Sequence, residues 1–292
     1  MAGRESLATN GKVSRAKKQC CDVGSKGWQA ALIVALMCLW VFVSVMTAQF
    51  TIGVAMILIF GQEQFNQPIF IAVYSALSYV VAGALIIFVP PALSAKWGRD
   101  KKPRRGSDET AADGVARVST KIAVPNRNDL GLKGWPTWTD LGLAPVGLIV
   151  SLLLAAGLVA VFEMFPWFDA NQAQDVGFST YMSGMDRIVA FLTLVVIAPV
   201  AEEVIFRGWL YGKVRERLSR MPEWASIAIS TLVVSVLFGA VHGQWNVGVT
   251  VFCLSVVLCA LREVTGTIYA GILTHMLKNG MAFYLLYVLG VA

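Results

Sequence analysis

Apolar residues in this chain run on in stretches long enough to cross a bilayer, separated by short polar segments. At a rise of about 1.5 Å per residue, a helix needs about 20 predominantly apolar residues to span the hydrocarbon core. Seven stretches meet or approach that length: roughly 28–60, 69–93, 142–164, 187–212, 224–243, 247–261 and 268–290. The first is overlong and contains Gly53, so a tilt, a break or an extension beyond the membrane is expected there; the sixth is the shortest and its limits are the least defined. The pattern predicts an all-α fold, a polytopic transmembrane bundle of about seven spans with a polar cavity among its C-terminal helices.

Basic residues orient this bundle. Six lysines and arginines lie in residues 1–27, ten in 96–133 and four in 213–220, whereas the connections 61–68 and 165–186 hold none. Lysine and arginine accumulate on cytoplasmic loops, so the N-terminus is expected in the cytoplasm and the C-terminus outside. Residues 1–27 are then a basic cytoplasmic segment, 28–93 an N-terminal transmembrane pair and 141–292 a C-terminal helical bundle. Between them, residues 94–140 are polar, mixed in charge and poor in aromatics over most of their length, the composition of a largely disordered cytoplasmic linker. Trp135 and Trp138 at its end suit an interfacial approach to the third span.

Composition narrows the class further. With 57% hydrophobic and 14% charged residues, and a mean hydropathy of +0.65, the chain is too apolar for an ordinary soluble domain. The net charge of +6 does not point to nucleic acid, because the basic residues sit between apolar runs where they set orientation. The five cysteines have no metal-like spacing: Cys20 and Cys21 adjoin in the basic N-terminal segment, and Cys38, Cys253 and Cys259 fall in expected spans. No disulfide framework is expected, and Cys20 and Cys21 are read as cytoplasmic thiols, with acylation as the alternative. The N-terminal basic segment leads into an apolar run far longer than a signal-peptide core, so an uncleaved first span is expected. The compact loops fit a prokaryotic inner membrane best, with the endoplasmic reticulum as the alternative.

The chemistry is concentrated in three of the C-terminal spans. Charged groups at the centre of a spanning helix cost roughly 2.5–3.5 kcal/mol each on insertion scales, which makes them functional candidates. Glu202, Glu203 and Arg207 form one group; the only two histidines, His242 and His275, lie in two other apolar stretches. On a helix Glu203 and Arg207 are four apart and can pair, whereas Glu202 is turned about 100° from Glu203 and is free to face something else. Phe238 and His242 share a face, as do His275 and Asn279, and Gly239 with Gly243 makes a small-xxx-small spacing for close helix approach. Lys278 adjoins Asn279 and is expected to face elsewhere. Each group has a structural alternative: charges snorkelling at a helix end, a packing motif with an interfacial histidine, and an interhelical hydrogen-bond pair.

Chain length weighs against those alternatives. Glu202 lies twenty residues before Pro222 and His242 twenty after it, which for straight helices brings both to the same level. His275, thirteen residues beyond Arg262, comes to a similar depth, roughly 20 Å from the cytoplasmic surface at that rise. A carboxylate, two imidazoles and an amide, with no serine or cysteine motif beside them, suit activation of a water molecule rather than a protein nucleophile.

Taken in order, E-E-x-x-x-R at 202–207, F-x-x-x-H at 238–242 and H-x-x-x-N at 275–279 resemble the CPBP (Abi) family of intramembrane glutamic endopeptidases, relatives of the CAAX prenyl endopeptidase. The resemblance covers about 187–290, the expected catalytic core, and leaves the first 140 residues with no more than their membrane-spanning character. It implies that Glu202 and His242 activate water, that His275 and Asn279 stabilise the oxyanion, and that Glu203, Arg207 and Phe238 support the site. The expected partners are a membrane-embedded or membrane-anchored peptide substrate and the bilayer, with no nucleic acid. No cofactor is assigned. A zinc-dependent protease using Glu202, His242 and His275 is the nearest alternative; a proton-coupled carrier and a non-catalytic adaptor or immunity-type protein are others. A carrier built on internal repeats would lead one to expect a second copy of these motifs, and none is found.

Overall fold

The computed structural model describes the backbone of residues 5–65, 67–99, 124–170, 172 and 184–290, and the side chains of all of these except 5–27 and 94–99. The described residues are helical, with turns between helices and no strand. The helices are α1 (Glu5–Phe60), the single-turn α2 (Gln62–Phe65), α3 (Pro68–Arg99), α4 (Trp138–Phe162), α5 (Gly184–Arg217), α6 (Glu223–Ala240), α7 (Trp245–Thr265) and α8 (Tyr269–Phe283). Within α5 the segments Leu192–Ile197 and Glu203–Tyr211 are π-helical, and a π-helical turn Tyr284–Val288 prolongs α8.

Local chemistry sets several of these ends. Gly61 terminates α1 with φ +82° and Gly266 terminates α7 with φ +68°, left-handed conformations that glycine adopts without a Cβ penalty. A capping box opens α4: the Thr137 hydroxyl accepts from the Asp140 amide while the Asp140 carboxylate accepts from the Thr137 amide at 2.8 Å. Gly53 does not break α1, which passes it as one helix; a Cβ there would meet Tyr74 of α3 at 3.4 Å.

Among the described residues, six helical segments are long and apolar enough to span a membrane: Trp28–Phe60, Pro68–Leu93, Trp138–Phe162, Gly184–Arg217, Glu223–Ala240 and Trp245–Thr265. The seventh expected stretch folds as α8 and its π-helical extension, whose regular part has only 15 residues. The outward faces are apolar: Leu58 is 80% exposed and Leu153 68%, a cost in water and a fit to lipid. The protein is an integral membrane protein. Exposed tryptophans mark both ends of the bundle, Trp135, Trp138 and Trp224 at one end and Trp167 and Trp245 at the other, as interfacial anchors do.

The N-terminal pair is packed onto the C-terminal helices. Val34, Val41 and Ile86 enter the same core as Ile205, Leu210, Val214 and Phe238. Ala72 joins Ala190, Val195, Phe283 and Tyr287 toward the opposite end. Of the expected linker 94–140, residues 94–99 continue α3 and 100–123 lie outside the described residues. The remainder differs from a disordered tether, because residues 126–134 form turns strapped to the bundle. Ile268 N–H donates to the Gly131 carbonyl at 3.0 Å, Tyr269 Oη to the Gly134 carbonyl at 3.0 Å, and Arg262 to the carbonyls of Asp129 and Leu130 at 3.4 Å each.

Candidate active site

The site is built where α5, α8 and the turn after α6 meet. Glu203 and Arg207 pair as their spacing predicts, Arg207 Nη1 donating to Glu203 Oε1 at 2.9 Å, with both side chains withdrawn from solvent. The guanidinium also lies over the Phe238 ring, 4.4 Å from its centroid, so Phe238 covers the ion pair with an aromatic face. His275 Nδ1 donates to the same Glu203 oxygen at 3.1 Å, because a carboxylate only accepts. This contact needs a close approach of α8 to α5, supplied by Gly271, where a Cβ would sit 3.1 Å from Glu203 Oε2.

Fixing Nδ1 in this way aims the other imidazole nitrogen at the second glutamate. His275 Nε2 stands 3.7 Å from Glu202 Oε2, so one histidine bridges the neighbourhoods of both carboxylates. Glu202 faces a cavity of about 270 Å³, as its turn away from Glu203 leads one to expect. His242 borders the same cavity from the turn after α6. Its Nδ1 donates to the Phe238 carbonyl at 2.7 Å, which leaves Nε2 as the nitrogen available to a substrate or water.

Asn279 lines the cavity as well, but one amide hydrogen is committed: Nδ2 donates to the Leu194 carbonyl at 2.9 Å, within the first π-helical stretch of α5. Its second N–H and its oxygen remain for other partners. Lys278 corrects the expectation that it faces elsewhere; three residues after His275 on α8, it lies on the His275 side of the helix and lines the cavity. Gly243 corrects a second one. Gly239 makes the close helix approach, with a Cβ there 2.8 Å from the Gly248 carbonyl oxygen of α7, but Gly243 lies beyond the helix at φ +73° and serves the turn.

Two cavity residues come from a helix that sequence reasoning left without a role. Ser75 and Tyr79 of α3 line the cavity, and the Tyr79 hydroxyl donates to Glu202 Oε1 at 2.5 Å. Tyrosine is ordinary in a membrane protein, so only its position within an apolar span hinted at it. Among the described residues, no group of three or more histidine, cysteine, aspartate or glutamate side chains is arranged to hold a metal ion.

The geometry can be set beside known proteins. A family model described as "Type II CAAX prenyl endopeptidase Rce1-like" matches residues 184–281. The match spans α5 to α8 up to Met281 and includes Glu202, Glu203, Arg207, Phe238, His242, His275 and Asn279. No curated protein and no solved structure gives a significant match to the chain.

Proposed function

We propose, from the premise that residues 184–281 form a domain of the Rce1-like family of type II CAAX prenyl endopeptidases, that this integral membrane protein hydrolyses peptide bonds of membrane-embedded or membrane-anchored substrates. The observation behind this reading is the convergence of Glu202, His242 and His275 on one polar cavity within an otherwise apolar bundle.

Glu202 is the general base. A water molecule held between Glu202 and His242 Nε2 gives its proton to the carboxylate, and the hydroxide attacks the substrate carbonyl carbon. The developing oxyanion takes the second Asn279 N–H and, with the His275 ring doubly protonated so that Nδ1–H stays on Glu203, the His275 Nε2–H, where one well-placed hydrogen bond is worth about 3 kcal/mol or more. Lys278 adds positive charge to that wall. Collapse of the tetrahedral intermediate breaks the C–N bond, and Glu202 returns its proton to the leaving amine. Glu203, held by Arg207 and His275, fixes the imidazole and is not consumed. The compact loops fit a prokaryotic inner membrane, and the basic-loop pattern puts the N-terminus in the cytoplasm.

The test compares purified wild type, Glu202→Gln and His242→Ala on membrane-reconstituted peptides, with and without a strong chelator. Loss of cleavage by at least about 1,000-fold in Glu202→Gln, a drop of about 100-fold or more in His242→Ala, and an unchanged wild-type rate in chelator are the expected results. A wild type inert on a broad panel, whose variants nevertheless complement a deletion strain, would move the function to a non-catalytic adaptor.

A further inference from the structure

We infer that Tyr79 of α3 is a positioning residue for Glu202, so that the N-terminal helix pair, outside the family domain, completes the active site. The inference rests on the protease reading given above. Its basis is a contact across 123 residues of sequence: the Tyr79 hydroxyl donates to Glu202 Oε1 at 2.5 Å, while Glu202 Oε2 faces His275 Nε2.

Those two contacts divide the work of the carboxylate. A glutamate on a helix has three side-chain torsions, and a base must hold its accepting oxygen toward the water in order to act. Tyr79 holds Oε1 with a charge-assisted hydrogen bond, leaving Oε2 as the oxygen that takes the proton. The other glutamate has its own restraints in Arg207 and His275, neither of which reaches Oε1 of Glu202 within hydrogen-bond distance among the described residues. The placement of Tyr79 is in turn set by core packing, because Ala72 of α3 packs with Ala190 and Val195 of α5 and with Phe283 and Tyr287 of α8 and its extension, elements that also line the cavity. Docking of α3 therefore determines whether the base is held.

The experiment uses the full-length protein in two arms. In the kinetic arm, Tyr79→Phe keeps the ring and removes the hydroxyl; kcat falls about 10- to 100-fold, the range of a lost hydrogen bond to a charged group, with KM changed less than about twofold. Tyr269→Phe, which removes a hydroxyl donating to the Gly134 carbonyl far from the cavity, is the control and retains wild-type kcat. A raised KM with unchanged kcat would overturn the inference. In the second arm, thermal unfolding in detergent is followed for Tyr79→Phe, Glu202→Ala and the double variant. The shift caused by Tyr79→Phe disappears in the Glu202→Ala background if the two side chains are coupled; an identical shift in both backgrounds overturns the contact whatever the kinetics show. If wild type cleaves nothing, the protease reading fails on its own, and the unfolding arm still decides the Tyr79–Glu202 contact.

Discussion

At the scale of residues, the site depends on two adjacent glutamates with opposite surroundings. Glu203 is fully enclosed and receives hydrogen bonds from Arg207 and His275, whereas Glu202 reaches the cavity. Removing Arg207 would leave a buried carboxylate short of its counter-charge, so Arg207→Ala should destabilise the protein by about 3–5 kcal/mol, measured by unfolding in detergent. Arg207→Lys should recover only part of this, because the planar guanidinium both donates to Glu203 and covers the Phe238 ring. Full recovery by lysine would show that charge alone suffices. The Glu203–Arg207 pair could be read from a four-residue spacing, and the level of Glu202, His242 and His275 from chain length. Tyr79 could not, since no local pattern ties it to a glutamate 123 residues away. Adjacency turns Lys278 away from Asn279, but its three-residue spacing from His275 brings it round to the cavity.

At the scale of elements, hydropathy locates the helices well and their ends less well. The expected span 187–212 is α5 over Gly184–Arg217, and the expected 224–243 ends as α6 at Ala240. The difference at Ala240 is physical: His242 and Gly243 are apolar in context yet belong to a turn, with Gly243 left-handed. The π-helical stretches of α5 were not legible, because such a register depends on what packs around the helix and has no period in the sequence. Small residues carry much of the close packing. At Gly239 an added Cβ would meet the backbone oxygen of Gly248, which cannot rotate away, so Gly239→Ala should cost about 1–3 kcal/mol through overpacking. A thermal unfolding series checks this; an unchanged midpoint would mean that α6 and α7 can separate without loss.

At the scale of the whole molecule, the described basic connections share one end. Arg262 and Ile268 join the end of α7 and the turn after it to residues 129–131, and Arg215 Nε, donating to Glu263 Oε1 at 2.9 Å, joins the end of α5 to the same place. The turn at Gly61, the segment after Phe162 and the turn after Ala240 lie at the other end. Positive charge on the first end predicts that it faces the cytoplasm. In a cysteine-free background, a membrane-impermeant maleimide should label Met164→Cys in intact cells, and Ser219→Cys only after permeabilisation. The reverse labelling would invert the topology and the side from which the cavity is served. Hydropathy and charge alone supplied this division of ends, whereas the packing of α1 and α3 against α5, α6 and α8 rests on side-chain contacts that no single-chain pattern encodes.

The most direct measurement is mass spectrometry of a reconstituted membrane peptide incubated with purified protein in water enriched in oxygen-18. Wild type should yield fragments whose new C-terminal carboxylate carries one heavy oxygen from the attacking water, and Glu202→Gln should leave the peptide whole. Fragments of the same kind and yield from Glu202→Gln, or an intact peptide with wild type across a broad panel, would contradict hydrolysis by a Glu202-activated water.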